Sequence, residues 1–237
     1  NVVTIEDPVE YELPGINQVQ VDRRIERTFA NMLRSVVRQD ANVMMVGEIR
    51  DSETANVTVG AARTGHLVLS TMHTNDAAGA IITLEHLGVP SFLVANSVTS
   101  VIAQRLVRRV CHNCRVEYEP EDALLEMMDL GGKEADDITF YTAEGCEECF
   151  QMGFRGRTGI FEVLQMSPEV RKLVLEGADR EDIVRQARLN GMTTLRESGL
   201  HKVKQGVTTL EEVARVTRTG AESPLVEEKT AKGEDNA

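Results

Sequence analysis

The chain has 237 residues, of which 41% are hydrophobic, 27% are charged and only 4% are aromatic. This composition excludes an intrinsically disordered chain, a fibrous repeat and a small disulfide-stapled scaffold. The length is sufficient for one large domain or two small ones. No stretch contains the roughly 18 consecutive apolar residues that a membrane-spanning helix requires, so we expect a soluble cytoplasmic protein.

The net charge of −12 is concentrated in one segment. Between Glu117 and Glu148 there are twelve acidic residues and one basic residue, Lys133. An acidic surface of this kind repels phosphate backbones, so direct binding of nucleic acid is not expected. The segment is either a solvated surface loop or a docking site for a basic partner.

The first 110 residues alternate short apolar runs with helical patterns. Residues 2–5, 43–46 and 67–69 predict strands that are covered on both faces. The first of these runs begins at Asn1 without a methionine, so we expect the sequence to be a fragment that lacks an N-terminal portion. Together with the helices between them, these strands predict a parallel sheet with helices on both faces.

Local signals mark the ends of the predicted helices. Polar N-cap residues or a proline place the starts of four helices in the first half near Thr28, Asp51, Asp76 and Pro90. The fourth helix is predicted to extend to Ile102. In the second half, further helices are expected after Ser167, Asp179 and Thr194, and residues 208–211 form a predicted capping box for the last helix.

Each of the three predicted strands is followed by an ionisable residue. Glu6 and Asp7 follow the first strand, Glu48 and Arg50 the second, and His73 the third. In open α/β sheets, ligands bind at the carboxyl edge of the strands. Carboxylates there can hold a hydrated Mg²⁺ or act as a general base, and a histidine can donate to a phosphate oxygen.

A phosphate-binding loop is absent from the sequence. Gly47-Glu48 after an apolar strand has the outline of a Walker B motif, although the usual aspartate is missing. No G-x-x-x-x-G-K-[ST] pattern occurs. The protein is therefore either not a nucleotide enzyme or it carries this loop outside the 237 residues.

The four cysteines form two C-x-x-C pairs with 31 residues between them. Each pair can supply two thiolates to one tetrahedral Zn²⁺, and we predict a structural zinc site. An iron–sulfur cluster or reduced free thiols are the alternatives. Disulfides are not expected, because we find neither a signal sequence nor a further cysteine. The predicted ligands are Cys111, Cys114, Cys146 and Cys149.

Five arginines flank the acidic segment. We expect them chiefly to balance its charge, with contact to the nucleotide phosphates of a neighbouring subunit as the alternative. They are Arg105, Arg108, Arg109, Arg155 and Arg157.

Three ordered motifs and the cysteine pairs resemble the type II secretion and type IV pilus assembly ATPases of the secretion ATPase superfamily (the GspE/PilB group). Residues 4–11 resemble the Asp box of this family, residues 47–55 its atypical Walker B motif and residues 64–77 its His box. The cysteine pairs and residues 156–162 resemble the assembly branch. The resemblance covers residues 1–220 and implies a C-terminal fragment that lacks the Walker A loop.

The resemblance implies ATP and Mg²⁺ as ligands and a role for each matching residue. Glu6 would be the general base that activates the attacking water, and Glu48 would organise Mg²⁺ and its water shell. His66 and His73 would contact the γ-phosphate region. The other nucleotide-binding candidates are Asp7 and Arg50.

The resemblance also implies an organisation of the chain. We predict a partial RecA-like α/β core in residues 1–110, an acidic tetracysteine zinc subdomain in 111–157, a small helical C-terminal subdomain in 158–220 and a disordered tail in 221–237. The full protein would be a homohexameric Mg²⁺-dependent ATPase that powers type IV pilus assembly or type II secretion. It would be held peripherally at the inner membrane by platform and cytoplasmic adaptor proteins.

The fragment by itself is expected to be inactive because it lacks the phosphate-binding loop. Two alternatives remain open from the sequence. One is a DNA-uptake or conjugation ATPase of related fold, and the other is a non-enzymatic zinc-ribbon interaction module.

Overall fold

The computed structural model describes residues 1–131, 135 and 137–217, so the predicted tail of residues 221–237 lies outside the described residues. The first half is built on a four-stranded parallel sheet in the order β2–β1–β3–β4. The strands are β1 (Val2–Glu6), β2 (Asn17–Gln20), β3 (Val43–Val46) and β4 (Leu67–Ser70). The parallel sheet confirms the prediction, whereas β2 was not predicted because its sequence N-Q-V-Q has no apolar run.

Two helices cover one face of this sheet. Helix α1 (Phe29–Val36) is capped by the Thr28 side chain, and α2 (Ser52–Arg63) is capped by Asp51, as the sequence predicts. Both helices contribute to a hydrophobic cluster with alternate residues of β1 and β3. The side chains of that cluster from the two strands are Val3, Ile5, Met44 and Val46.

The prediction of helices on both faces of the sheet is wrong for the part of the chain that the structure describes. On the opposite face, Leu67 and Leu69 of β4 are 55% and 52% exposed. No hydrophobic cluster of described residues includes them. An apolar strand pattern indicates that both faces are apolar, but it does not specify which segment covers them.

After β4 the chain forms α3 (Ala77–His86) and α4 (Ser91–Ser97). The predicted extension of the fourth helix to Ile102 is wrong, because the backbone becomes extended at Val98 and continues as β5 (Ser100–Val110). In β5, Ala103 and Val107 are buried whereas Ile102 is 63% exposed. This alternation is typical of a strand with one buried face.

The cysteines lie in a segment that follows β5. Its elements are β6 (Arg115–Glu117), α5 (Asp122–Met127) and β7 (Tyr141–Ala143), with β6 and β7 antiparallel. Strand β8 (Phe154–Gln165) then returns and pairs antiparallel with β5 over most of its length. Because β8 spans the predicted boundary between residues 157 and 158, that boundary is not visible as a break in the structure and stays a prediction.

Four helices complete the described chain: α6 (Pro168–Glu176), α7 (Arg180–Leu189), α8 (Leu195–Lys204) and α9 (Leu210–Thr217). The predicted caps of the first three are confirmed. The predicted capping box of residues 208–211 is wrong. Thr209 caps α9 through the amide of Glu212, while Glu211 accepts a hydrogen bond from the Tyr118 hydroxyl. None of the described helices is long and apolar enough to cross a membrane.

Candidate functional site

The predicted site begins at the carboxyl edge of the parallel sheet. The strand register pairs Ile5 of β1 with Val46 of β3, and Val46 with Ser70 of β4. The three strands therefore end side by side. Glu6 is the last residue of β1, and Glu48 and His73 follow β3 and β4 within three residues. The structure thus places these three residues at one edge, as the sequence predicts.

Glu48 is the centre of a small charged cluster. Its Oε2 accepts a hydrogen bond from Arg50 Nε at 2.6 Å and lies 3.5 Å from His73 Nε2. The Glu48 side chain is only 16% exposed, whereas those of Arg50 and His73 are 60% and 79% exposed. A nearly buried carboxylate therefore meets two exposed donors, and both donors are accessible to a ligand at this edge.

A close backbone contact explains why a glycine precedes Glu48. The Gly47 amide donates to the carbonyl oxygen of Ile5 at 2.8 Å. A Cβ on Gly47 would lie 3.1 Å from that oxygen and 3.5 Å from the Cα of Glu6. The close approach of the two strand ends therefore favours glycine at this position, where a Walker B strand usually has an apolar residue.

Glu6 points toward β2. Its Oε1 accepts hydrogen bonds from Thr4 Oγ1 at 2.5 Å and from Gln18 Nε2 at 2.9 Å. Among the described contacts, no hydrogen bond joins Glu6 to Glu48. Asp7 follows Glu6 and is exposed. The structure therefore brings Glu6 and Asp7 to the same edge as Glu48, while the described hydrogen bonds of Glu6 go to Thr4 and Gln18.

His66 lies at the other end of β4. Its Nδ1 is within 3.0 Å of both Thr64 Oγ1 and the carbonyl oxygen of Ala61, in the turn after α2. His66 precedes β4 and His73 follows it, so the length of the strand separates the two histidines. The structure does not place His66 in the Glu48 cluster, and its predicted contact with the γ-phosphate region stays a prediction.

The segment after His73 is held by contacts that the sequence did not indicate. Arg105 Nη2 of β5 donates to the carbonyl oxygens of Thr74 and Asn75 at 3.0 and 3.1 Å. Arg180 of α7 binds Asp76, the N-cap of α3. No local pattern predicts these contacts, because the residues that make them are about 30 and 104 positions apart in sequence.

The buried carboxylate of Glu162 on β8 completes this arrangement. It accepts hydrogen bonds from the amides of Ala77 at 2.9 Å and Leu195 at 3.2 Å. Ala77 and Leu195 are the first residues of α3 and α8, so one carboxylate binds two helix N-termini. No sequence signal pointed to this role of Glu162, because β8 was not among the predicted strands.

The flanking arginines do not all balance the acidic segment. Arg105 binds main-chain carbonyls, and Arg108 binds the buried Glu212 of α9. Arg155 lies 3.6 Å from Glu148, which does belong to the acidic segment. The expectation of charge balance is therefore wrong for Arg105 and Arg108 and agrees with the structure for Arg155.

The four cysteines form a compact second site. Their sulfur atoms lie within 4.8 Å of one another, and three of the Sγ–Sγ distances are 3.7, 3.8 and 3.9 Å. Four sulfurs about 2.3 Å from a tetrahedral Zn²⁺ would be about 3.8 Å apart. The spacing of the thiols therefore fits a zinc ion, and the two C-x-x-C pairs would supply its four ligands.

Nitrogen donors around the sulfurs favour the ionised thiolates that would bind a cation. Asn113 Nδ2 donates to Cys146 Sγ at 3.4 Å and lowers the pKa of that thiol to about 6. Burial opposes the ionisation of Cys149, but the amides of Cys146 and Gly153 donate to its Sγ at 3.2 Å each and lower its pKa. Both contacts stabilise thiolates, which are the form that binds zinc, whereas burial raises the pKa of the Cys114 thiol to about 12.

The residues at the sheet edge also fit a hydrated Mg²⁺. Magnesium keeps several waters and needs only one or two protein carboxylates when a substrate supplies phosphate oxygens. Glu48 and Glu6 provide two such groups at the same edge. The nearby Arg50 and His73 are donors that suit an anionic phosphate.

Comparisons with known proteins agree with this arrangement. A family model for "Type II/IV secretion system protein" matches residues 1–215. The chain is 50% identical over 213 residues to the type IV pilus assembly ATPase PilB of Thermus thermophilus, which covers 90% of this chain and 24% of that protein. It is also 50% identical over 218 residues to the type II secretion system protein HxcR of Pseudomonas aeruginosa, which covers 92% of this chain and 42% of that protein.

Solved structures show the same relationship. The crystal structure of the pilus retraction motor PilT with bound ADP matches with a TM-score of 0.64 and 26% identity, over 94% of this chain and 53% of that one. The chain spans less than half the length of the two curated relatives above. The match nevertheless extends over nearly the whole of this chain and includes both candidate sites. The chain therefore belongs to the type II/IV secretion system protein family.

Proposed function

We propose that this chain is part of an ATP-hydrolysing motor subunit that powers type IV pilus assembly or type II protein secretion. The observation that carries the proposal is the contact of Glu48 with Arg50 and His73 at the carboxyl edge of the sheet, beside Glu6. The names of the relatives, which include pilus assembly and secretion ATPases, support it.

The two glutamates and the donors Arg50 and His73 would have different roles in hydrolysis. Glu48 would hold the waters of Mg²⁺, which when bound neutralises charge on the β- and γ-phosphates. Both described hydrogen bonds of Glu6 involve Oε1, so Oε2 would accept the proton of the attacking water. His73 and Arg50 would donate to the phosphate oxygens, where negative charge accumulates in the transition state.

The phosphate-binding loop and the binding partners would come from outside these 237 residues. The sequence has no G-x-x-x-x-G-K-[ST] loop to hold the phosphates. We propose that the full protein supplies this loop and assembles as a homohexamer. Its partners would be inner-membrane platform proteins and cytoplasmic adaptors, which would hold it at the cytoplasmic side of the inner membrane. The isolated chain would not hydrolyse ATP.

Phosphate release by the purified full-length protein tests this function. E48Q and E6Q keep the size of each side chain and remove its charge, and each is expected to lower kcat by at least about 100-fold. E176Q is the control, because Glu176 is exposed on α6 and pairs only weakly with Lys172 at 3.8 Å. Absence of magnesium-dependent hydrolysis in the wild-type protein would instead favour a non-enzymatic zinc module.

A further inference from the structure

We propose that Arg105 is a positioning residue that sets the location of His73 relative to Glu48. The inference rests on the proposed ATPase function. Arg105 lies on β5, outside the parallel sheet. It would influence hydrolysis indirectly, by holding the main chain that follows His73.

The main chain around His73 is anchored on both sides. On the N-terminal side, the amide of Ile49 donates to the carbonyl oxygen of Thr71 at 2.9 Å, and Thr71 Oγ1 donates to the carbonyl oxygen of Gly47 at 2.7 Å. On the C-terminal side, Arg105 holds the carbonyl oxygens of Thr74 and Asn75. Only Met72 and His73 lie between these two anchors.

His73 itself depends on this anchoring. Its side chain is 79% exposed, and its described polar contact is the 3.5 Å approach to Glu48. A side chain with so little packing does not determine its own position. The position of His73 near Glu48 is therefore set by its backbone, and Arg105 is the side chain that binds the backbone immediately after it.

The chemistry of Arg105 suits this role better than a charge-balancing one. Within the described residues it forms no ion pair with a carboxylate, and its hydrogen bonds all end on main-chain carbonyl oxygens. One guanidinium nitrogen binds two successive carbonyls in a fixed geometry, which the ammonium of a lysine on a flexible stem does not reproduce. Asp76 and Ala77, the next two residues, are held by Arg180 and Glu162.

A double-mutant cycle in the full-length protein tests the proposal. R105Q is expected to lower kcat about tenfold, with less than a threefold change in the KM for ATP, because a small displacement of a catalytic group slows the reaction without removing binding. H73A removes the side chain on which Arg105 acts. The double variant R105Q/H73A is therefore expected to be no slower than H73A alone.

Two further variants separate positioning from other roles. R105K should stay slowed by at least about threefold, because it keeps the charge and loses the planar guanidinium nitrogen that binds both carbonyl oxygens. R185Q changes an arginine on α7 that is 72% exposed and pairs only with Asp182 in the described contacts, and it should leave kcat within about twofold of the wild type. Zinc content and the melting temperature of each variant report its folding, and if R105Q does not fold, the cycle is run with R105K.

The outcomes distinguish this proposal from the proposed function. If H73A slows hydrolysis but R105Q does not, or if the two effects multiply in the double variant, the positioning role is wrong while the ATPase stands. Full rescue by R105K also overturns positioning. If H73A hydrolyses ATP at the wild-type rate, the proposed role of His73 fails and the role of Arg105 fails with it.

Discussion

The backbone amide of Gly47 lies 2.8 Å from the carbonyl oxygen of Ile5, and this contact leaves little room for a side chain on residue 47. It joins the ends of β1 and β3 at the point where Glu6 and Glu48 leave the sheet. The separation of the two candidate catalytic carboxylates therefore depends on a glycine.

Substitution of Gly47 by alanine should disturb this edge. A Cβ would lie 3.1 Å from the Ile5 oxygen and 3.4 Å from the Phe29 ring, so the strand ends must shift. We expect G47A to lower the free energy of unfolding by about 1–2 kcal/mol. Urea unfolding of this chain measures the effect.

Gly60 provides the matched control for G47A. It lies inside α2, and an added Cβ would meet no other atom within 4 Å. G60A should raise the free energy of unfolding by about 0.5–1 kcal/mol, because alanine favours the helix over glycine. Equal effects of G47A and G60A would contradict the steric explanation.

The four-cysteine site should bind one zinc ion per chain. The sulfur spacing of 3.7–3.9 Å fits a tetrahedral Zn²⁺. C146S should weaken zinc binding by more than about 100-fold, because it removes a direct ligand. Metal analysis by mass spectrometry and competition with a colorimetric chelator measure content and affinity. H112A is the control, since His112 is exposed next to a ligand. Stoichiometric iron would contradict the assignment.

Glu212 links α9 to β5 and should be important for stability. Its side chain is fully buried and accepts hydrogen bonds from the Arg108 amide, the Arg108 guanidinium and Arg215. E212Q leaves both guanidinium groups without their charged acceptor. We expect it to lower the free energy of unfolding at pH 7 by about 3 kcal/mol, measured by urea unfolding.

The effect of E212Q should depend on pH. Burial alone would raise the pKa of Glu212, but hydrogen bonds from Arg215 and Arg108 outweigh it and lower the pKa to about 2. A lowered carboxyl pKa contributes stability that is fully present above the ordinary value of 4.5 and is lost as the pH falls toward 2. The difference between wild type and E212Q should therefore shrink from pH 5 to pH 3. A difference that stays constant would contradict the assigned ionisation.

Phe150 occupies an unusual backbone conformation. It follows the last cysteine with φ at +54°, and its side chain is 82% exposed. Because it buries almost no surface, glycine should replace it with a gain of up to about 1 kcal/mol in the free energy of unfolding. F92G is the control and should destabilise by a similar amount, because Phe92 is also exposed but lies in α4. Calorimetry on the zinc-loaded chain measures both.

Local sequence signals were sufficient for the elements whose boundaries depend on neighbouring residues. Thr28, Asp51, Ser167 and Asp179 each cap a helix through an amide three positions later, so the prediction required no information about the fold. The strand ends that carry Glu48 and His73 were also predicted, because short apolar runs separated by helices pair in parallel.

Where local patterns are ambiguous, sequence reasoning failed. Residues 98–102 fit a helical spacing, yet they lead into β5, because Ile102 pairs with Val163 some sixty residues later. The role of Glu211 likewise depends on a distant segment, because it accepts a hydrogen bond from Tyr118, 93 positions earlier in the sequence. Such contacts have no signature in the nearby sequence.

The sequence by itself determined the family, the pairing of the four cysteines into two C-x-x-C motifs and the identities of the ionisable residues at the strand ends, since each follows from residue types at fixed spacing. Only the tertiary structure decided that Glu48 contacts His73, that His66 lies at the other end of β4 and that Arg105 holds the segment after His73. These relations depend on how the strands and helices pack, and packing brings together residues whose separation along the chain carries no information about their distance in space.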